Sequence, residues 1–529
     1  MKKSILLLAA VLLLALWAVC TAEGLQYEVI DGEVTVTGYD GTDTEIVIPA
    51  QVDGLPVTAI GDKAFYNKSG LVSITLPEGI RTIGERAFLS CASLTEIKLP
   101  QSVETIGEYA FSNCKKLEKV TLPEGLCGTL AGHMFHKCPE LRQVNLPDGL
   151  TGIGYSAFGY CAKLEEAVLP AGLTVLEDYA FFGCEKLTSA VLPGSITALG
   201  TNAFANCKGL VEAELPNGLT CVPEFCFSGC AALSEVRLPD SVTEIGPYAF
   251  FECAALEEIR LSENVTTLGY AAFAKSGLTG FAFPAGFSGT AEYLFHSCTA
   301  LKELTLPDDM TVLGSCALYG CEGLKSLRLP EGMEKIETGA LAYCTALETV
   351  ILPESLKEIG DHAFYGDTAL RRIDLPEKLE QIKSGAFMAS GIECFAFPQN
   401  VTVCESYVLY GCTQLTQVDA GCVTLVGECA FYGDTALAGI VLPDSVTSVG
   451  RGAFGECTLL TSVHLGNGLE EIKDHAFYKC NLLAEIALPD SLTAIGADCF
   501  TDCAEGFCVE CAPGSYAAEW AAENGIMTK

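Results

Sequence analysis

The sequence predicts one α/β repeat solenoid of about twenty turns of 23 residues, and three observations support this fold class. A phenylalanine or leucine recurs every 22 to 24 residues from Phe65 to Phe500, twenty times in all. Half of the 529 residues are hydrophobic, which is enough to form a large core. Sixteen of the 22 prolines occupy one position of the repeat. The repeat therefore replaces the several domains that this length would otherwise suggest.

One complete copy of the repeat indicates how each segment folds. Ile97 and Leu99 alternate with polar residues, which predicts a short strand with one buried face. Pro100 cannot donate a ladder hydrogen bond and is expected to end the strand. The segment around Ala110-Phe111 predicts a helical or 3₁₀ step that turns the chain inward and places Phe111 and Cys114 on one face. Because 23 residues cannot close a core alone, stacked copies must share one.

The two ends of the repeat region predict caps. Residues 23–54 alternate apolar and polar residues between Asp31-Gly32 and Asp40-Gly41 turns, which predicts an N-terminal β cap. Residues 506–529 contain Ser515 followed by an alanine-rich segment around Trp520, which predicts a C-terminal cap with a short helix. The repeats themselves are expected to cover residues 55–505.

Residues 1–22 are predicted to be a signal peptide. Two lysines precede an apolar run from Ser4 to Val19, and the small residues Cys20 and Ala22 suit cleavage after Ala22. A run of about 16 residues is shorter than the roughly 20 residues of a membrane span. The mature chain is therefore expected to lack a transmembrane helix and to be secreted or held at the cell surface. A lipoprotein attached through Cys20 is the less favoured alternative, because Val19 is a poor residue before a lipidated cysteine.

The repeated Ile-Gly-x-x-Ala-Phe-x-x-Cys and Leu-Pro elements resemble the BspA-like class of leucine-rich repeat, found in surface and secreted proteins of bacteria and protozoa. The resemblance covers residues 55–505. It implies a leucine-rich-repeat solenoid with a parallel β-sheet on the concave face and short helical or 3₁₀ segments opposite. It also implies adhesion to extracellular-matrix proteins, which is the role of better-known members.

Fifteen cysteines share one repeat position, three residues after the inward-facing Phe. An exported cysteine-rich chain usually contains disulfides, but buried cysteine also packs as a small hydrophobe, and equivalent side chains in stacked turns are parallel. The position also accepts Ser276 and Asp367, which obligate pairing would not allow. We favour a ladder of reduced packing thiols over disulfides. The ladder comprises Cys91, Cys114, Cys138, Cys161, Cys184, Cys207, Cys230, Cys253, Cys298, Cys321, Cys344, Cys412, Cys457, Cys480 and Cys503.

The outward strand positions form the candidate binding face that the resemblance implies. Of 57 such positions, fifteen are acidic and ten are Lys or Arg, so the face carries only −5 of the net charge of −36. None is Phe, Tyr or Trp, the side chains that sugar and single-stranded nucleic-acid sites use. A solvated sheet without a ligand is the alternative. The candidate residues are Glu165, Glu166, Glu212, Glu214, Glu257, Glu258, Arg328, Arg371 and Arg372.

Aromatic side chains gather at another position, directly after the repeat Phe. Lateral packing between turns is the simpler interpretation, and a flank used for adhesion or self-association is the alternative. Eight of the twenty copies carry an aromatic residue there: Tyr66, Phe182, Phe251, Tyr319, Tyr365, Tyr410, Tyr432 and Tyr478.

Catalysis, cofactors and metals find little support in the sequence. No phosphate-binding, dinucleotide or hydrolase motif occurs, so we predict no enzyme and no cofactor. Cys508 and Cys511 have a zinc-like spacing but belong to opposite faces of a strand, and His133 and His136 have no evident third ligand. We predict no metal site. The 67 acidic residues against 31 basic ones also exclude nucleic acid as a partner.

The sequence thus predicts an exported binding protein that mediates protein–protein interaction or adhesion to host, extracellular or neighbouring-cell surfaces. The alternative is a structural or self-associating component of the cell envelope without a specific host ligand.

Overall fold

The computed structural model describes residues 23–287 and 289–529, so the predicted signal peptide at residues 1–22 lies outside the described residues. The protein is a parallel-sheet β-solenoid of about 21 turns, as predicted. It divides between Val242 and Thr243 into two compact units. Each unit is built from the same two parallel ladders of short strands.

The first ladder contains the strands that the alternating Ile and Leu predict. In each of these strands the middle residue faces the core, as Ile97 does between exposed Glu96 and Lys98. The strands of the first unit are Glu45–Val47, Ser73–Thr75, Glu96–Lys98, Lys119–Thr121, Gln143–Asn145, Ser189–Val191, Glu212–Glu214 and Glu235–Arg237. Those of the second are Gly280–Ala282, Glu303–Thr305, Ser326–Arg328, Thr349–Ile351, Cys394–Ala396, Gln417–Asp419, Gly439–Val441, Ser462–His464, Glu485–Ala487 and Cys508–Glu510.

The second ladder was not predicted. It consists of short strands, most of them two residues long, that end at the Ile of the repeated Ile-Gly pair and pair in parallel. In the first unit they are Thr82–Ile83, Thr105–Ile106, Gly128–Leu130, Leu150–Ile153, Val175–Leu176, Ala198–Leu199 and Cys221–Val222. In the second they are Glu244–Ile245, Thr267–Leu268, Val312–Leu313, Lys335–Ile336, Glu358–Ile359, Gln381–Ile382, Val403–Cys404, Leu425–Val426, Ser448–Val449, Glu471–Ile472 and Ala494–Ile495.

The helical or 3₁₀ step predicted around each Ala-Phe pair is replaced by consecutive tight turns. Arg86 and Ser90 have positive φ angles of 56° and 65°, and a left-handed residue cannot continue a right-handed helix. Backbone N–H groups alternate between bonds within the segment, as from Ala87 to Gly84, and bonds to the next turn of the solenoid. The N–H of Arg86 donates to the carbonyl of Glu108 at 2.9 Å, and that of Phe88 donates to Ala110 at 2.8 Å. This part of the prediction is wrong, because most residues with positive φ in these segments are not glycine.

Phenylalanine rings form the centre of each unit. In the first unit Phe65, Phe88 and Phe111 are fully buried and stack nearly in parallel, with centroids 5.2 and 5.3 Å apart. In the second unit Phe431 and Phe454 stack at 5.1 Å. Stacked aromatic rings contribute roughly 0.5–1.5 kcal/mol per pair beyond their burial. The repeat therefore places one ring on the next along the core.

Strands and one helix occupy the two end segments for which caps are predicted. Leu25–Ile30 and Glu33–Tyr39 form an antiparallel hairpin, closed by Asp31 and Gly32 with positive φ angles of 53° and 80°. The strand Leu55–Ile60 is parallel to Glu33–Tyr39 and antiparallel to Gln51–Val52. Its other edge pairs with Thr82–Ile83, so it connects the hairpin to the second ladder.

At the C-terminus the helix α1, Tyr516–Glu523, begins at Ser515, whose side chain accepts a hydrogen bond from the N–H of Ala518. The final strand, Met527–Thr528, extends the first ladder beside Cys508–Glu510. Within residues 23–287 and 289–529, no helix has the length and apolar character of a membrane span.

Candidate protein-binding surfaces

The candidate binding-face residues are all exposed. Glu165, Glu166, Glu212 and Glu214 belong to the first unit, and Glu257, Glu258, Arg328, Arg371 and Arg372 belong to the second. Glu212 and Glu214 are the only two of these residues that share a strand. The structure therefore divides the predicted face into separate patches.

The paired charges of this face coincide with interruptions of the first ladder. Between Glu45 and Glu510, three turns among the described residues lack a first-ladder strand. These are the turns of Glu165-Glu166, Glu257-Glu258 and Arg371-Arg372, which hold the like-charged doublets at the first two outward positions. Only an isolated bridge between Gln143 and Glu166 remains in the first case. Glutamate is among the residues depleted in strands, and adjacent like charges repel each other.

A cavity of about 560 Å³ opens on the strand face at the first interruption. Val168 and Val191 line it and are 77% and 54% exposed, respectively. Glu165 and Glu166 line it as well. Ala167 occupies the inward position that larger residues fill in most turns, so little side-chain volume supports the sheet at this point. The result is an apolar depression with an acidic edge.

Salt bridges neutralise much of the remaining charge on the face. The guanidinium of Arg328 lies 3.1 Å from the carboxylate of Glu331. Arg371 pairs with Glu393 at 3.0 Å, and Arg372 pairs with Asp374 at 2.9 Å. In the first unit Glu165 pairs with Arg142 at 3.6 Å, and Glu214 with Arg237 at 3.1 Å. Exposed pairs of this kind contribute little to stability. They do lower the charge that each side chain can offer to a partner.

Three of the predicted carboxylates have no such partner. Among the described residues, the side chains of Glu166, Glu257 and Glu258 make no hydrogen bond or salt bridge. Of these, Glu166 alone lines the apolar cavity. It is therefore the uncommitted charge of that depression.

The repeat cysteines lie in the core of the turns. Fourteen of the fifteen thiols donate to the backbone carbonyl of the repeat Phe or Leu one turn earlier, as Cys114 does to Phe88 at 3.3 Å. The contact recurs at 3.1 to 3.3 Å in both units. Cys503 is less buried than most of the ladder and makes the contact at 3.5 Å. The members with this contact are Cys91, Cys114, Cys138, Cys161, Cys184, Cys207, Cys230, Cys298, Cys321, Cys344, Cys412, Cys457, Cys480 and Cys503.

The zinc-like cysteine pair is not arranged as a metal site. Cys508 is buried beside the final strand, and its thiol lies 3.8 Å from the carbonyl oxygen of Ala484. Cys511 is partly exposed beyond the end of the same strand. In the described part of the chain, no group of three or more His, Cys, Asp or Glu residues is placed to hold a metal ion.

The aromatic residues predicted to form a flank contact one another and further aromatic residues that were not predicted. Tyr319 and Tyr365 both contact Tyr343, with centroids 5.3 and 4.7 Å away, and Tyr410 stacks on Tyr432 at 5.4 Å. A second row, two positions before the repeat Phe, was missed. It includes Tyr109, His133 and Tyr179 in the first unit. The recurrence of aromatic residues at that position was the signal that could have revealed it.

Several solved structures are similar to this chain. A leucine-rich repeat protein from Bacteroides ovatus is 23% identical, with 96% of this chain and 98% of that chain covered and a TM-score of 0.39. A leucine-rich cell surface protein from Faecalibacterium prausnitzii is 24% identical, with 84% and 93% covered and a TM-score of 0.34. A leucine-rich repeat protein from T. pallidum is 27% identical, with 48% and 87% covered and a TM-score of 0.24. No curated protein matches the chain.

The family is established by the repeats themselves. The model of the BspA type leucine-rich repeat region matches residues 58–188, 174–302, 288–416 and 424–509. These matches span most of the chain and follow the repeat seen in the two strand ladders. The chain belongs to the BspA-type leucine-rich repeat family.

Proposed function

We propose that this chain is an exported binding protein that adheres, through the strand face of its first unit, to a protein on a host, extracellular-matrix or neighbouring-cell surface. Leucine-rich repeat proteins generally bind proteins, and their fold is typically non-enzymatic. The family thereby supports an interaction role, and the position of the surface rests on the side chains of the first unit.

The apolar depression at Val168 and Val191 carries the proposal. Exposed valines are costly to leave in water when they are contiguous, and such patches mark interaction sites more often than scattered apolar residues do. Val191 is an outward residue of the strand Ser189–Val191, Val168 occupies the equivalent position in the turn without a strand, and neither belongs to the core. The depression is therefore suited to an apolar side chain of a partner.

The charges around the depression indicate which charged residue the partner should carry. Glu166 is uncommitted, while Glu165 and Glu214 are already paired with arginines. A basic residue of the partner, next to the apolar side chain in the depression, could form a salt bridge with Glu166 without breaking an existing one. We therefore expect a partner surface with one or two aliphatic side chains beside a lysine or arginine.

The area needed for stable binding exceeds the depression itself. A typical interface buries about 800 Å² on each partner. The neighbouring strands Glu212–Glu214 and Glu235–Arg237 continue the paired ladder beside Ser189–Val191 and supply an exposed polar rim. An apolar centre with a polar rim is the usual anatomy of a protein interface.

Binding of the purified chain 23–529 to an array of extracellular-matrix proteins and to whole cells tests the proposal. We expect saturable binding that Val191→Asp weakens about tenfold or more, because a carboxylate would be buried without a partner. Val441→Asp is the matched control, since Val441 is the third residue of its strand as Val191 is and is 64% exposed. Equal binding by both variants would contradict the proposed surface.

The self-associating envelope component is the competing outcome. Concentration-dependent oligomers in light scattering, with no binding to matrix proteins or cells, would support it. Replacement of Arg328, Arg371 and Arg372 by alanine extends the test to the second unit. A loss of binding confined to that variant would contradict a site at Val168 and Val191.

A further inference from the structure

Seven aromatic rings form a closed cluster on the turn segments of the first unit. Neighbouring rings around the cluster have centroids 4.3 to 5.5 Å apart. The members are Tyr109, His133, His136, Tyr155, Tyr160, Tyr179 and Phe182. We call this set the aromatic cluster. It is larger than lateral packing between two turns requires.

The repeat explains why these rings meet. Tyr109, His133 and Tyr179 occupy the same position in their turns, two residues before the buried Phe or its equivalent. All three have positive φ angles, of 57°, 56° and 60°. Tyr155 lies one position earlier in the intervening turn and contacts both His133 and Tyr179, at 5.0 and 5.5 Å. The rings thus form a continuous row, and Tyr155 remains 43% exposed.

A cavity of about 470 Å³ lies against this row. Tyr109, His133 and Tyr155 contribute its aromatic walls, and Glu108 and Glu177 contribute its charges. No lysine or arginine lines it. The volume falls within the usual range of about 300–1,000 Å³ for binding pockets. It can hold a long side chain together with part of the adjoining backbone.

The cavity is rich in hydrogen-bond acceptors and poor in charged donors. The side chain of Glu108 makes no hydrogen bond or salt bridge among the described residues. One oxygen of Glu177 accepts the backbone N–H of Tyr155 at 2.8 Å, which fixes the carboxylate and leaves its second oxygen available. Burial lowers the pKa of His133, so this ring is neutral at neutral pH and adds no positive charge. A ligand must therefore supply the donors and the positive charge.

Cations already lie over two rings at the edge of the cluster. The guanidinium carbon of Arg86 is 5.2 Å from the centroid of Tyr109, and the ammonium of Lys137 is 5.9 Å from that of Tyr160. Both distances allow a cation–π contact. The ring of Tyr109 is already covered by Arg86 and by His133, which stacks on it at 4.3 Å, so the exposed ring of Tyr155 is the one available to another cation.

We propose that this cavity binds an arginine side chain of a partner protein. The guanidinium stacks on Tyr155 and donates to the carboxylates of Glu108 and Glu177. Arginine fits better than lysine, because its planar fork both stacks on an aromatic face and donates two parallel hydrogen bonds. A neutral sugar fits less well, since its hydroxyls would leave two carboxylates without a counter-charge. The site lies on the turn segments and does not depend on the strand-face proposal.

A labelled peptide with four arginines separated by glycines, titrated into the chain 23–529 at 150 mM salt, tests the site. The matched peptide carries citrulline, which has nearly the shape of arginine without its charge. We expect saturable binding of the arginine peptide, at least tenfold weaker binding of the citrulline peptide, and a similar loss in E108Q/E177Q. The glutamine variant retains an acceptor for the N–H of Tyr155, so the fold is preserved.

Two further variants separate the cavity from general attraction to an acidic chain. E354Q/E377Q removes the same charge from exposed sites in the second unit and should bind normally.

Tyr155→Phe should bind normally and Tyr155→Leu weakly, because the ring face is the contact. Equal weakening by E108Q/E177Q and E354Q/E377Q would overturn the proposal. So would binding of a neutral oligosaccharide that needs Tyr155 but neither carboxylate. Val191→Asp should leave peptide binding unchanged, so the two proposals can fail separately.

Discussion

The carboxyl oxygen Oδ1 of Asp367 accepts a hydrogen bond at 2.8 Å from the backbone N–H of Cys344, one turn earlier in the core. Asp367 occupies the position that cysteine fills in most turns, and it is fully buried. Its second oxygen, Oδ2, has no hydrogen-bond partner and is inaccessible to water. Asp434 repeats the arrangement with the N–H of Cys412 at 2.7 Å. Two turns of the second unit therefore hold a buried acid in place of a thiol.

Burial raises the pKa of the Asp367 carboxyl well above its ordinary range, so the folded protein keeps it protonated when the unfolded chain ionises. Below about pH 4 the carboxyl is protonated in both states, so its ionisation makes no difference to the free energy of unfolding. As the pH rises above that value, the folded state loses about 1.4 kcal/mol per pH unit relative to the unfolded state, until the folded pKa is reached. We predict that Asp367→Cys stabilises the protein more at pH 7.5 than at pH 4.5.

Urea unfolding of the second unit at the two pH values measures this difference. The thiol of the variant should donate to the carbonyl of Leu341, as the thiol of Cys344 donates to Leu318 at 3.2 Å. Asp490→Cys, at an exposed position, is the control and should show no pH-dependent gain. A gain for Asp367→Cys that is the same at both pH values would mean that Asp367 ionises in the folded protein.

The Phe stack should tolerate leucine but not alanine. Phe454 is fully buried between Phe431 and Phe477, with centroids 5.1 and 5.3 Å away. Three turns of the second unit naturally carry leucine at this position, including Leu341 and Leu409. We predict that Phe454→Ala destabilises the second unit by about 3–5 kcal/mol, and Phe454→Leu by less than about 1.5 kcal/mol. Denaturant midpoints of the two variants provide the comparison, and similar losses for both would show that stacking itself is required.

Most of the fold could be predicted from the 23-residue period of the sequence. Ile97, Pro100 and Phe111 recur at fixed spacing, so their strand, strand end and core position could all be predicted. The second ladder could not, because a strand of two residues such as Thr105–Ile106 shows no alternation. The turn segment was mistaken for a helical step because Tyr109 adopts positive φ without being glycine. Glycines at the same position in other turns, such as Gly339 and Gly385, were the available signal.

The candidate surfaces were predicted less completely. Exposure of Glu166 and Arg372 follows from alternation within a strand. The loss of the strand at the charged doublets depends on neighbouring turns, and the cavity at Val168 depends on how little volume Ala167 contributes beneath it. The aromatic cluster was missed for a related reason. Tyr109 and Tyr155 occupy different repeat positions, and only the stacking of turns brings them onto one row.

Export predicts a defined N-terminus for the mature protein. The small residues Cys20 and Ala22 favour cleavage after Ala22, so intact-mass analysis of protein recovered from washed cells and from culture medium should give a chain that begins at Glu23. Cys20→Ala keeps a small residue at its position and should leave cleavage unchanged. A mature chain that begins at a lipidated Cys20, and is lost from membranes in the Cys20→Ala variant, would instead establish a lipoprotein.

Thiol reactivity should separate the cysteines into two classes. Burial raises the pKa of Cys91 to about 12 and that of Cys161 above its ordinary range, and the thiolate is the reactive form. Cys127, Cys221, Cys394 and Cys422 are exposed. We predict that these four react within minutes in the native protein, whereas the repeat thiols react only after unfolding.

The total thiol count decides between the packing ladder and disulfides. Residues 23–529 contain 26 cysteines, and denaturation without reductant should release nearly all of them as thiols. Serine at Cys127, Cys221, Cys394 and Cys422 should abolish the fast native phase and leave the slow one intact. Export to an oxidising compartment favours disulfides, but the ladder opposes them, since each thiol is already directed to a carbonyl one turn away, as in Cys114 and Phe88. A low count in denaturant would show that oxidation overcomes this geometry.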